Sequence, residues 1–252
     1  MKDFQGSTLW GVSGFERHRI ETGTSGYARL DSAAVLPASL MADLEDAGVG
    51  YANDGGDILE TAAACVRHRE AASLLLSHQD VIWPLTLFPT LGVYHCPRDM
   101  VVDGSLDSLS TTRMVLIEPP SVAPADRSLY DEGVDSAHYR PLWPLLWTLA
   151  LYGPRRELLT EISGAAAYRA VGNPAVEGLT TPGALGSAVQ RLRRESVSLK
   201  TMATWPGVTV ERASRLLNAL YLASGLMVTR SNPAARGRAR SRSAFGWTRS
   251  AR

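Results

Sequence analysis

Short apolar runs rich in β-branched and aromatic residues stand out in the first 120 positions and predict strands. The strands expected from these runs are 81–88, 93–96 and 113–118, with shorter ones at 26–30 and 49–52. Because proline has no backbone N–H to donate, Pro84 should confine its strand to a sheet edge or a bend. Helical patterns lie between the runs, so this part of the chain predicts a small α+β domain.

Two helices are predicted in the same region. The first covers 37–47, with proline in its first turn and Gly48 placed to end it. The second has the clearest start in the chain, because Asp57 is followed three residues later by Glu60, as in a capping box with Asp in place of Ser or Thr. The run behind it is rich in Ala, Leu and Arg and predicts a helix that continues to about Ser77.

The second half of the chain changes to mainly helical patterns. Its most apolar stretch, 142–152, is 11 residues long, whereas a membrane-spanning helix needs about 20, so it predicts a buried helix. Gly153 and Pro154 end that helix and start another, and a Gly- and Pro-rich connector precedes the third. The predicted helices of this region are 142–152, 155–171 and 184–195.

Residues 199–218 have the spacing of small and apolar residues that a helix-turn-helix needs. Ala203 and Gly207 would let two helices cross closely through a left-handed turn. Ser198 and Thr209 are the expected N-caps of the two helices. The apolar side chains expected to pack the pair together are Met202, Val208, Ala213 and Leu216.

With a strand expected at 226–229, the segment 184–230 resembles winged-helix modules, both those of transcription regulators and the degenerate ones of bacterial signalling adaptors. A second wing strand is not evident, because Pro233 and an arginine-rich tail follow. In DNA-binding modules of this kind the second helix enters the major groove. The resemblance implies that contacts to DNA, or to a partner protein, come from Thr209, Glu211, Arg212, Ser214, Arg215 and Asn218.

Charge is concentrated at the end of the chain. Residues 230–252 contain seven arginines and no acid, so the other 229 residues sum to −6 in a chain of net charge +1. This tail has little to bury and is expected to be disordered in isolation. It is interpreted either as a solubilising terminus or as a basic arm that attracts phosphates. The candidate arm residues are Arg236, Arg238, Arg240 and Arg242.

Chemical motifs are few. The chain has no phosphate-binding loop, dinucleotide fingerprint or nucleophile elbow, so nucleotide hydrolysis and simple ester hydrolysis are not predicted. Of the five histidines and two cysteines only His95 and Cys96 are adjacent, and no metal site is predicted. Cys65 and His68, three apart, are interpreted as a buried thiol beside a surface imidazole. No cofactor is implied, and the chain is expected not to be an enzyme.

The expected compartment is the cytoplasm of a bacterium-like cell. No export signal or membrane span is visible, and two cysteines without a signal peptide favour free thiols in a reducing environment. Trp143 and Trp147 are four apart and would share one helical face, which is interpreted either as core or as a protein-interaction face.

The sequence therefore predicts an α+β protein with an N-terminal α+β domain at 1–120, a loop at 121–140, a helical domain with the winged-helix-like module at 141–229 and a basic tail at 230–252. The preferred function is that of a non-enzymatic cytoplasmic regulatory or adaptor protein that binds another protein. The alternative is a sequence-specific DNA-binding transcriptional regulator. A DNA binder should expose Arg212 and Arg215 on a continuous positive face, whereas an adaptor would bury that helix or surround it with acids.

Overall fold

The computed structural model describes residues 9–27, 35–46, 56–99, 109–124, 138–172, 181–231 and 234. The helices in these ranges are α1 (Val12–Thr22), α2 (Ala38–Asp46), α3 (Ile58–His68), α4 (Leu142–Tyr152), α5 (Ala184–Arg194), α6 (Leu199–Met202) and α7 (Val210–Leu222). The strands are β1 (Trp10–Gly11), β2 (Ala72–His78), β3 (Val81–Phe88), β4 (Val93–His95), β5 (Arg113–Glu118), β6 (Tyr139–Pro141), β7 (Ala167–Ala170) and β8 (Leu226–Thr229). The chain is mixed α+β, as predicted.

Antiparallel pairing builds the central sheet in the order β5-β2-β3-β4-β6, with β1 beside the start of β3. Side chains of a strand point alternately to its two faces. Leu74 and Leu76 of β2 therefore pack into one cluster with α2, α3 and α4, while Leu75 packs with Phe15 of α1 on the other face. Both faces of the sheet are covered near its centre, which explains why β2 and β3 are apolar almost throughout.

The predicted helix over 57–77 is wrong in its second half. Its start is confirmed, because the Asp57 carboxylate accepts hydrogen bonds from the backbone N–H groups of Leu59 and Glu60. The helix ends at His68, where Arg69 takes a left-handed conformation, and β2 follows. The leucine-rich run at 72–78 is compatible with a helix or with a buried strand. It forms a strand because it pairs with β3 on one side and with β5 on the other.

The strand predicted around Pro84 is confirmed, but its place at a sheet edge or bend is not. β3 lies inside the sheet, with Pro84 opposite Leu75 of β2. On the other side of β3, β1 pairs only with 81–82 and β4 only with 86–88. Pro84 falls between these two stretches, so its missing N–H interrupts no ladder on that side.

The predicted helix over 155–171 is also wrong. The chain forms one 3-10 turn at Thr160–Ile162, takes a positive φ at Gly164 and then forms β7. β7 pairs antiparallel with β8, and the backbone of Tyr168 also bonds Val197 in both directions. Two neighbouring segments from far along the chain thus override the helical propensity of an alanine-rich stretch.

The N-caps, the turn and the apolar packing predicted for residues 198–216 agree with the structure. The Ser198 and Thr209 side chains accept hydrogen bonds from the N–H groups of Thr201 and Arg212, as N-caps do. Gly207 has a φ of 71°, and a Cβ there would lie 2.9 Å from that of Ala184. The four apolar residues expected to pack α6 against α7 are all buried: Met202, Val208, Ala213 and Leu216.

One hydrophobic cluster extends from the sheet through α4 to α7. Trp147 is buried in it and Trp143 is partly buried against it. Residues 139–140, which the sequence places in a loop, belong to β6 and pair with β4. Within the described ranges, no helix combines the length and the apolar character that crossing a membrane requires.

Several predictions fall outside the described residues. They concern the strand at 49–52, most of the strand at 26–30, the residues around Gly48, most of the loop 121–140 and the tail arginines Arg236, Arg238, Arg240 and Arg242.

Candidate functional site

Helix α7 carries the residues that the sequence singles out, and it packs against α4. Three of them lie at its more accessible N-terminal end. Thr209 is exposed and caps the helix, and the guanidinium of Arg212 donates to the carbonyl of Gly207 at 2.6 Å. Glu211 lies 3.1 Å from Arg215 and 3.8 Å from Arg156. The N-terminal end of α7 therefore carries one acidic side chain, Glu211, among basic ones.

The other three residues point into the molecule. Ser214 is 2% exposed and Asn218 is completely buried. The guanidinium of Arg215 donates to the carbonyls of Leu151 and Gly153 at 2.8 and 2.9 Å. Those carbonyls belong to the C-terminal end of α4, where helical partners are lacking and a cation is favoured. Arg215 thus serves as a cap for α4.

Asn218 holds the segment that follows α4, here called the clamped loop (residues 153–162). Its side-chain oxygen accepts from the N–H of Leu159 at 2.9 Å, and its amide nitrogen donates to the carbonyl of Glu157 at 2.8 Å. Both backbone groups are thereby satisfied by one buried side chain. The residue that a DNA-reading helix would offer to a base is used for internal structure.

The clamped loop is held from its other side by α3. The buried Glu60 carboxylate accepts from the N–H and hydroxyl of Thr160 at 2.6 and 2.7 Å, and it lies 2.8 Å from Arg155. Arg155 also bonds Asp57 at 2.5 Å and the carbonyl of Leu158. Glu60, predicted as part of a capping box, therefore joins the N-terminal helices to the C-terminal half.

Freeing the covered face of α7 would cost much of the stability of the fold. Leu216, Leu217 and Leu220 are all buried in the common cluster with α4. Exposing one such side chain costs about 1.5–3 kcal/mol. Because a whole domain is stable by only about 5–15 kcal/mol, the packing of α7 on α4 is a permanent part of the fold.

A second set of polar residues crosses the sheet and was not found from the sequence. It is called here the cross-strand polar row and consists of Glu118, Ser73, Thr86, His95 and Tyr139. Each residue is the direct cross-strand partner of the next, so all five lie on one face, one per strand. Because each strand contributes a single residue, the row forms no motif in the sequence. It becomes visible only from the register of the paired strands.

The hydroxyls in the row bond one another. Ser73 Oγ lies 2.7 Å from Thr86 Oγ1 and 3.0 Å from Ser121 Oγ, and it accepts from the Ser121 N–H at 2.9 Å. A nucleophilic serine needs a base within hydrogen-bond reach, and these partners of Ser73 are hydroxyls and an amide. Burial raises the pKa of Glu118, opposed by a hydrogen bond from Ser25. The row ties the chain after β5 to the sheet.

The thiols and imidazoles do not converge on a chemical site. Burial raises the pKa of Cys65 to about 12, so its thiol is not activated. His68 lies half-buried with its ring nitrogen 3.1 Å from Asp43, in agreement with the predicted buried thiol beside an imidazole nearer the surface. Across the ranges that the structure covers, no three His, Cys, Asp or Glu side chains are placed to hold a metal ion.

An accessible charged site lies on the outer face of the β7–β8 ribbon. It is a cavity of about 380 Å³, called here the basic groove, and its lining consists of Arg169, Ala170, Val171, Gly172, Arg193 and Met227. The sequence pattern does not bring these residues together, because it predicts a helix at Arg169 where the structure has β7. The two arginines come from different elements, β7 and α5.

The geometry thus offers an α7 whose central polar side chains make internal contacts, a polar row in which the hydroxyls of Ser73 and Thr86 bond each other while Glu118 Oε1 has no partner among the described residues, and an open basic groove. Comparison of the chain with models of known protein families, with curated proteins and with solved structures found no significant match.

Proposed function

We propose that the protein is a non-enzymatic cytoplasmic regulatory or adaptor protein that acts by binding another protein. The observation that carries the proposal is the burial of the middle of α7 against α4. Ser214, Arg215 and Asn218 are committed to internal contacts there. Of the positions that would read bases, Thr209, Glu211 and Arg212 stay accessible, and Glu211 would repel phosphates.

We also infer that residues 167–229 form a winged-helix-like module with an altered wing. The inference is supported by the position of β7, which pairs with β8 on one side and forms a bridge to Val197 on the other. β7 precedes α5 in the chain, so it fills the place that a second wing strand after β8 would take. Among the described residues, the strands of the wing are then β7 and β8. A module used in this way serves as a building block of the fold rather than as an independent DNA reader.

Selection of DNA from a random pool tests the alternative, sequence-specific binding by α7. The full chain is compared with the Thr209→Ala/Arg212→Ala double variant. Because the central side chains of α7 are buried, we expect no enriched motif from either protein. An enriched motif that the double variant loses would overturn the adaptor proposal.

Site-specific photo-crosslinking in cells tests the protein partner directly. A photoreactive residue replaces, one at a time, the large apolar side chains that are exposed in the described ranges: Ile20, Val35, Leu91, Val210 and Met227. A specific partner is expected to give one discrete adduct at one or two neighbouring positions. The remaining positions are matched controls, and absence of adducts at all five would contradict a partner on these surfaces.

A further inference from the structure

The N-terminal and C-terminal parts of the chain differ in net charge by more than the basic tail alone accounts for. Residues 1–162 contain 12 Lys and Arg against 22 Asp and Glu, a net charge of −10. Residues 163–252 contain 14 against three, a net charge of +11. The change of sign falls just before β7, so the whole winged-helix-like region belongs to the basic part.

Several arginines of this region make contacts within the protein. Arg191 pairs with Glu195 and lies 4.5 Å from the centre of the Trp205 ring. Arg215 caps α4, and Arg230 donates to the carbonyls of Ser163 and Glu161. These side chains are held by the protein and contribute to its structure.

The arginines of the basic groove differ from these. Arg169 and Arg193 are exposed, and neither has an ion pair or side-chain hydrogen bond with any residue in the described part of the chain. Arg194 is exposed beside them on α5. Among the described residues that line the groove, two are arginines and none is acidic. The groove therefore presents guanidinium groups that no residue in the described ranges binds.

The backbone geometry fixes the direction in which these groups point. Tyr168 is buried and bonds the carbonyl of Ile162, so its neighbour Arg169 projects from the opposite face of β7. Arg169 is the cross-strand partner of Met227, which is 51% exposed. Arg193 lies in the last turn of α5, which packs against β7. Both guanidiniums thus border one open cavity.

We propose that the basic groove binds the phosphate backbone of a nucleic acid, independently of its sequence. Arginine forks match phosphate oxygens, and basic surfaces bind nucleic acids through release of condensed counterions. The remainder of the lining is Ala, Val, Gly and Met, which offers no side chain able to hydrogen-bond a base edge. The net charge of +11 over residues 163–252, of which the tail at 230–252 supplies +7, suits a long uniform polyanion better than a short acidic peptide. The site is distinct from α7 and does not rest on the proposed protein partner.

Binding of the full-length chain to a labelled random-sequence duplex DNA, followed by fluorescence anisotropy across a salt series, tests the proposal. The variant Arg169→Ala/Arg193→Ala removes both groove charges from exposed positions. Each lost phosphate contact changes the slope of log K against log salt by about 0.9, so the slope should become shallower by about 1.8. With equal affinities of the two proteins at 1 M salt as the reference, the variant should bind roughly sixtyfold more weakly than the wild type at about 0.1 M salt.

Three comparison variants separate the groove from charge in general and from the tail. Arg113→Ala removes one exposed arginine from the acidic part and should leave binding unchanged. Arg169→Lys/Arg193→Lys keeps both charges and should retain most of the affinity. A variant with alanine at positions 236, 238, 240 and 242 should weaken binding separately, while the groove effect persists in that background. Thermal unfolding of every variant shows that the fold is kept.

Poly-glutamate and inorganic phosphate serve as alternative ligands in the same assay. Neither is expected to displace DNA at equal charge concentration. Unchanged salt dependence in the groove variant, or binding that depends on the tail alone, would overturn the proposal. Tighter binding of poly-glutamate than of DNA would also overturn it and assign the groove to an acidic protein segment.

Discussion

At the scale of single residues, the buried Asn218 and the partly buried Glu118 decide much of the geometry. Asn218 satisfies an N–H and a carbonyl of the clamped loop from a position with no exposed surface. Glu118 stands at the end of the cross-strand polar row, and burial raises its pKa. The amide of Asn218 stabilises the fold, whereas a negative charge on Glu118 would destabilise it.

Asn218→Ala should lower the free energy of unfolding by about 2–4 kcal/mol, because it leaves the buried N–H of Leu159 without a partner, at about 1–3 kcal/mol, and removes the hydrogen bond to the carbonyl of the exposed residue Glu157, at about 0.5–1.5 kcal/mol. Chemical denaturation measures the change. Gln190→Ala, an exposed substitution on α5, is the matched control and should change stability by less than about 0.5 kcal/mol. Equal effects of the two substitutions would show that the contacts of Asn218 are not needed.

Glu118→Gln should change the dependence of stability on pH. Because the pKa of Glu118 is raised in the folded state, the stability that its neutral form contributes is complete at low pH and is lost as the pH rises above about 4.3. Glutamine keeps the hydrogen bond to Ser25 without the charge. The variant should therefore gain stability over the wild type as the pH rises toward 7, as measured by thermal unfolding. Glu16→Gln, at an exposed position on α1, should show no such trend.

At the scale of elements, helix ends and strand pairing determine the architecture. The N-caps at Asp57, Ser198 and Thr209 form where the sequence predicts them, because a cap depends on neighbours two or three residues away. α4 differs, since its C-terminal carbonyls bind Arg215, which lies more than 60 residues later. Its end is therefore stabilised by α7 and not by its own sequence.

Arg215→Ala should destabilise the protein by about 1.5–3 kcal/mol, the range for hydrogen bonds to a charged group. Hydrogen exchange should rise first in the last turn of α4, where the carbonyl partners are lost. Arg156→Ala removes a neighbouring arginine whose side chain is 73% exposed and should have little effect. A similar loss from both variants would mean that net charge, not the cap, is responsible.

At the scale of the whole molecule, one cluster joins the sheet, α4 and α7. The clamped loop lies between α3 and α7, held by Glu60 on one side and Asn218 on the other. Such shared packing couples the two halves. It also explains why Ser214, Arg215 and Asn218, three of the six candidate contact residues, are turned toward the interior.

The full chain should accordingly unfold in one cooperative transition. A fragment that begins at residue 163 lacks α4 and should fail to give a dispersed NMR spectrum, because the apolar face of α7 is left uncovered. Glu60→Ala in the full chain should lower the midpoint without splitting the transition, since removing one partner of a buried pair typically costs about 3–5 kcal/mol. Two separate transitions, or a folded fragment, would contradict the shared core.

Local patterns could therefore be predicted well, and long-range ones could not. Helix starts, the turn at Gly207 and the strands with apolar β-branched runs depend on residues close in sequence. Where a run suited two structures, as at 72–78 and 167–170, the partner strands made the choice. The same limit applies to the sites, because Arg169 and Arg193 meet only once β7 is a strand beside α5.

By itself the sequence determined the α+β composition, the caps, the helix pair around Gly207 and the uneven charge. These follow from backbone sterics, side-chain capping and counting of residues. Tertiary contacts alone establish that α7 is covered by α4, that β7 occupies the middle of the ribbon and that two arginines without a partner in the described part of the chain share a groove. Such features depend on which distant segments bury surface together, and that is set by the packing of the whole chain.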